Sequence, residues 1–263
     1  MQMHLRLASR SFLGLMVLAL AVSSGARADT TGAVVPLPAA DKVQLEALLG
    51  VAIIGEALPS PPLATIDTYM PRKGSSISYQ VLEAKKPAST ETHKVEDATE
   101  AKYSPGWRYT IEGVGAQYFM AGSNGGVDIA AEQDLDNKVL SHFAPGEPLI
   151  VPGLKAGESK SSTLQVSVYD MSDLNKVTHS GSLDVVYTYI GTYRVKVPAG
   201  TYDAALIRWD YSGKVGPATI KDSQYRFLAP KAGMVAMIQI RSISAMLVYN
   251  DHTKRGKLLE REP

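Results

Sequence analysis

The chain has 263 residues, with 27 Lys and Arg against 26 Asp and Glu, and no cysteine. So even a balance argues against nucleic acid, which is bound by clustered cations, and against an anionic membrane surface. Without disulfides, a fold in an oxidising compartment must rest on its hydrophobic core, and a chain of this length can bury one.

The first 28 residues have the three parts of a secretory signal peptide. Arg6 and Arg10 precede an apolar run from Phe12 to Val22, and Ala26-Arg27-Ala28 supplies the small-x-small pattern. Cleavage is expected after Ala28 by the general secretory route, since no twin arginine is present. The 235 residues that follow carry 24 basic and 26 acidic side chains. No later run approaches the roughly 20 apolar residues of a spanning helix, so no transmembrane segment is expected in the mature chain. These features predict a periplasmic or secreted protein.

Residues 29–64 read as a flexible arm followed by an amphipathic helix. Asp41 is a candidate N-cap for a helix from Lys42 to Leu58, with Val43, Leu45, Leu48, Leu49, Ala52 and Ile53 at helical spacing. Pro59, Pro61 and Pro62 end it. Residues 65–250 read as a β-rich domain with period-two patterning. The expected strands are Ser76–Ala84, Thr92–Tyr103, Trp107–Gly113, Ala116–Ala121, Gly126–Gln133, Lys138–Phe143, Ser162–Asp170, Leu183–Val197, Tyr202–Ser212, Gln224–Ala229 and Met234–Tyr249. Pro198-Ala199-Gly200 predicts a tight hairpin. Pro145, Pro148, Pro152, Gly153 and Gly157 predict a long irregular connection, and the charged tail 251–263 is expected to fray.

The expected fold is mainly β: a curved antiparallel sheet, half-barrel-like, packed on one N-terminal helix. The alternative is a β-sandwich.

No motif specifies a reaction. Gly122-Ser123-Asn124-Gly125 lacks the spacing of a nucleophile elbow, and reads as a turn. His93, His142, His179 and His252 stand isolated and read as exposed strand or loop residues. Asp134-Leu135-Asp136-Asn137 opens like a calcium loop, but Lys138 and Val139 break it. Gly113-Val114-Gly115 lacks the third glycine of a dinucleotide fingerprint. Glu96, Asp97 and Glu100 read as a solvated strand face. Neither a cofactor nor a metal is expected.

Aromatics recur at i, i+2 in four strands: Trp107/Tyr109, Tyr187/Tyr189, Trp209/Tyr211 and Tyr225/Phe227. Residues two apart on a strand share a face. The four pairs therefore read either as ordinary core or as one concave aromatic surface for an apolar or glycan-like ligand.

Three stretches resemble a family of uncharacterised bacterial envelope proteins, known as a domain of unknown function. Residues 193–204 (YRVKVPAGTYDA) are similar to its V-P-A-G-T-F-D-A hairpin, and 225–235 (YRFLAPKAGMV) to its aromatic A-P-x-x-G-x-V strand. Residues 148–158 (PLIVPGLKAGE) are similar to its P-L-x-x-P-x-L-K-x-G-E segment, with the spacing shifted by one. The resemblance implies a secreted, curved antiparallel sheet like the half-barrels that carry lipoproteins or lipids, and it brings no catalytic residues. The resulting expectation is a non-catalytic binding or carrier module. Its alternatives are a structural partner of another envelope protein and an envelope hydrolase.

Overall fold

The computed structural model describes residues 32–84, 86–122, 125–245 and 249–261. The expected signal peptide lies outside them. A short strand β1 (Ala33–Val34) and helix α1 (Ala39–Leu49) lead to β2 (Ile54–Ser60) and a single helical turn, α2 (Ile66–Tyr69). Twelve strands follow. They are β3 (Ser76–Glu83), β4 (Ser89–Asp97), β5 (Gly106–Ile111), β6 (Gly115–Ala121), β7 (Val127–Asp134), β8 (Val139–Ile150), β9 (Ser159–Asp170), β10 (Asp173–Val197), β11 (Gly200–Val215), β12 (Ala218–Ala229), β13 (Gly233–Ala245) and β14 (Tyr249–Arg261).

Each of the twelve pairs antiparallel with the next, and β14 returns to pair with β3, placing Arg255 opposite Glu83 and Lys257 opposite Val81. The sheet is thus a closed up-and-down barrel of twelve strands rather than the expected half-barrel or sandwich. The difference lies in the charged tail, which forms β14 over Tyr249–Arg261 instead of fraying. Its inward Arg255 and Lys257 are met by Glu83 and Glu91, so charges that read as solvated from the sequence hold the closing seam.

Helix α1 also departs from expectation. It starts after Pro38 and stops at Gly50, which adopts φ +102°, a left-handed backbone that suits glycine. Residues 54–58, expected to be helical, form most of β2 and pair with the end of β10, where Lys196 N–H donates to the Ile53 carbonyl at 2.8 Å. Ile53 and Ile54 are β-branched and gain more from an open sheet edge than from another helical turn. The expected irregular connection shrinks to 151–158, because β8 carries Pro145 and Pro148 within its length.

Helix α1 braces the outside of the barrel. Leu45 and Leu49 share one helical face and are buried against a cluster that includes Leu206, Phe227, Ile238 and Leu258. Asp41 is no N-cap. It points inward at 3% exposure and accepts 2.8 Å hydrogen bonds from the Tyr225 hydroxyl and the Arg208 guanidinium. Elsewhere the outward positions of the strands carry exposed charge, among them Lys94, Glu96, Asp184, Lys221 and Lys254. A lipid-facing barrel instead presents a continuous apolar band.

The segment 61–72 crosses one end of the barrel. Leu63 exchanges backbone hydrogen bonds with 153–154, Lys231 N–H donates to the Thr68 carbonyl at 2.8 Å, and Leu63 and Ile66 are buried in the interior cluster. The opposite end, formed by the β3–β4, β5–β6 and β7–β8 turns, is where Glu83, Lys86, Asp134 and Asp136 line a cavity.

Candidate functional site

Inside the ring lies a cavity of about 500 Å³. Its walls follow from strand alternation, because a residue faces inward at every second position and keeps that face across a regular register. On β12 the inward residues are Asp222, Gln224, Arg226 and Leu228. They stand opposite Tyr211, Trp209, Ile207 and Ala205 on β11, and opposite Arg241, Gln239, Met237 and Met234 on β13.

This parity divides the four aromatic pairs. Trp209/Tyr211 and Tyr187/Tyr189 point inward and join Tyr109 in the interior cluster, with the half-buried Trp107 packed against it. Tyr225 and Phe227 point outward and lie in the cluster beneath α1. Of the eight aromatics that read either as core or as one ligand surface, Tyr109 alone lines the cavity. The polar atoms of the others are largely engaged: Trp209 Nε1 donates to the Pro148 carbonyl at 2.9 Å, Tyr187 donates to the Leu149 carbonyl at 3.3 Å, and Tyr211 donates to Glu147 at 2.5 Å. Tyr187 and Trp209 meet edge to face at 5.2 Å. These rings make a rigid wall behind the cavity.

The cavity itself is polar. Along β12, Arg226 Nη2 donates to the Gln224 side-chain oxygen at 2.9 Å, and Gln224 Nε2 donates to Asp222 Oδ2 at 2.9 Å. Gln239 Nε2 donates to the same oxygen at 2.8 Å, leaving Asp222 Oδ1 without a partner. Burial outweighs these bonds and holds the Asp222 carboxyl above its usual range. Burial likewise pushes Glu147 up to about 7, against the pull of Arg226 and Tyr211. On β7, Glu132 projects into the lumen with much of its surface reachable from that space, yet its carboxyl is also held high by removal from bulk solvent.

A second buried group spans the seam. Lys257 donates to Glu91 Oε1 at 2.7 Å, and both are more than nine-tenths buried. His93, at 1% exposure, was expected on the surface and instead lies between Glu91 and Tyr109, at 3.3 and 2.9 Å. Burial lowers its pKa to about 4, so at neutral pH it donates from Nε2 to Glu91 and accepts at Nδ1 from the Tyr109 hydroxyl. Burial raises Glu91, but the His93 hydrogen bond and the Lys257 and Arg255 charges prevail and hold it at about 2. His142 lies by Tyr103, their ring centroids 6.4 Å apart, and does not line the cavity.

The sequence hid Asp222 and Arg226 because charges alternating with aromatics normally mark a solvent face. The local signal is the run Asp222-Ser-Gln-Tyr-Arg226-Phe, in which Tyr225 and Phe227 take the outer face and Asp222 and Arg226 line the cavity.

Neither a protein-family model nor a curated protein matches the chain. Among solved structures, a candidate exported protein with YmcC-like fold from Bacteroides fragilis is 18% identical, at a TM-score of 0.43 over 74% of this chain and 99% of its own. A candidate lipoprotein from Parabacteroides distasonis is 14% identical, at a TM-score of 0.36 over the same shares. Both likenesses are too distant to bear on what the lumen holds.

Proposed function

We propose that this is a non-catalytic binding module, exported by its N-terminal leader, that holds a small polar ligand in the barrel lumen. The observation that carries the reading is the cavity of about 500 Å³ enclosed by the ring and stopped at one end by segment 61–72. Its volume falls in the range of small-molecule sites. Its lining combines Arg226, Asp222, Glu132 and Glu147 with Tyr109 and Phe119.

Of the two ligand classes expected, this lining favours the polar, glycan-like one. An apolar chain would strand the guanidinium and the carboxyls without partners, at about 1–3 kcal/mol for each group. Hydroxyls would satisfy them, and an aromatic ring would still cover a sugar face.

Native mass spectrometry of the protein purified from its host, followed by extraction of anything bound, tests this. A discrete added mass that extracts as a polar molecule supports the reading. A clean unliganded mass, with no uptake from sugar mixtures, removes it and turns attention to partner proteins, with pull-down as the next step.

A further inference from the structure

The cations of the lumen are unequally provided for. Lys257 and Arg255 are matched by Glu91 and Glu83, and Arg241 lies 3.3 Å from Asp251. Arg226 stands apart. It is 9% exposed, makes no ion pair among the described residues, and spends one nitrogen on a neutral amide, Gln224. Its Nε has no partner. Its guanidinium carbon sits 4.9 Å from the centroid of the Trp209 ring, which orients the planar group on the cavity wall. An uncompensated buried charge costs several kcal/mol, and a fold keeps one where something else completes it.

The surroundings define what could. The planar fork of arginine matches the two oxygens of a carboxylate or phosphate. Nearly across the ring, five strands one way and seven the other, β7 presents Glu132, which has no hydrogen bond or ion pair among the described residues. On the Arg226 strand, beyond Gln224, Asp222 Oδ1 is also unmet. One guanidinium and two open carboxyls fit a molecule that carries an oxyanion at one point and hydrogen-bond donors at others. The acids oppose an anion less than free carboxylates would, because burial raises the pKa of Glu132, Glu147 and Asp222.

We propose that Arg226 anchors the oxyanion of a small hydroxylated ligand, a sugar acid or sugar phosphate, whose hydroxyls donate to Glu132 and Asp222. This rests on the lumen being the binding site.

Calorimetric titration of the full protein with glucuronate, glucose 6-phosphate and glucose tests it. One of the two acids is expected to bind at least about tenfold more tightly than glucose, and whichever does so identifies carboxylate or phosphate. Arg226→Gln should remove that preference, with a loss on the order of 10- to 100-fold for the acid that exceeds any loss for glucose. Near-UV circular dichroism checks that the variant is folded. Should it not fold, Arg226→Lys, which keeps the charge and loses the fork, should still weaken acid binding several-fold. Equal binding of all three probes, or an acid preference that survives Arg226→Gln, overturns the proposal while leaving the lumen as a site. If none of the three binds, the proposal falls; a neutral ligand retained from the host would then keep the lumen reading alone, and an empty protein would end both.

Discussion

Asp41 on the helix outside the barrel accepts the hydroxyl proton of Tyr225, a residue 184 positions later in the chain, at 2.8 Å. The same carboxylate oxygen takes a hydrogen bond from Arg208 on the neighbouring strand, so one buried acid fastens α1 to β11 and β12. Asp41→Ala should leave the Tyr225 hydroxyl without its acceptor and the partly exposed Arg208 with Asp210 alone. A loss of about 2–3 kcal/mol is expected in urea unfolding, below the figure for a fully buried pair because Arg208 still reaches water. Asp41→Asn keeps an acceptor for Tyr225 and should lose less. Equal stability of Asp41→Ala and the parent would mean that α1 is held by its leucines alone.

The pH dependence of stability should show two opposing groups. His93 is depressed to about 4, so the unfolded chain binds its proton first, and stability drains away as pH falls from 6.5 to 4. Glu147 is raised to about 7 from 4.5, so the folded chain binds its proton first, and stability grows as pH falls from 7 to 4.5. Over the shared window the two oppose each other. Glu147→Gln, which preserves an acceptor for Tyr211, should expose the histidine limb, with a loss on the order of 3 kcal/mol between pH 6.5 and 4. His93→Asn should uncover the opposite slope. Urea midpoints at pH 7, 5.5 and 4 decide it, and parallel curves for parent and variants would refute the assignment.

Gly213 on β11 lies opposite Leu183 in the register, and a Cβ built there would fall 2.1 Å from the Ser182 carbonyl oxygen. Gly181, on the partner strand, is as tight, at 1.9 Å from the Lys214 carbonyl. Here the backbones of β10 and β11 approach so closely that side chains are excluded. Gly213→Ala should force the strands apart and cost about 1–3 kcal/mol, measured by thermal unfolding. An unchanged midpoint would show that the strand pair relaxes freely.

Ending the chain after residue 248 removes β14. Glu91 then loses Lys257 and Arg255 while remaining inside the wall, and β3 and β13 become open edges. The shortened chain should bind a hydrophobic dye and be cleaved rapidly by protease, where the intact protein resists both. Resistance equal to the parent would show that the other strands close without β14.

Much of this architecture was legible locally. Ten of the eleven expected strands fall mainly within single observed ones, and the Pro198-Ala199 turn joins β10 to β11 as the tripeptide requires. Two things were not. Closure depends on Arg255 meeting Glu83 and Lys257 meeting Glu91, pairs separated by more than 160 positions and invisible to any window of neighbouring residues. The choice of inner face was equally hidden. In β12 both faces are buried, one by the ring and one by α1, so Tyr225 and Phe227 read as well inward as outward. In β10 the register shift between Tyr189 and Gly191 exchanges the faces midway, sending Tyr187 and Tyr189 in but Tyr193 out.

The pairing of the ring's first strand with its last has a consequence for how the ring closes. Neighbouring hairpins can form in order along the chain, but β3 must wait for β14, whose Arg255 lies opposite Glu83. Until then every intermediate is an incomplete sheet with two unsatisfied borders. Holding such a chain away from its copies until β14 docks is a task for a chaperone, and the nearly finished sheet, with most of its strands in place and both borders still open, is the form that needs it most.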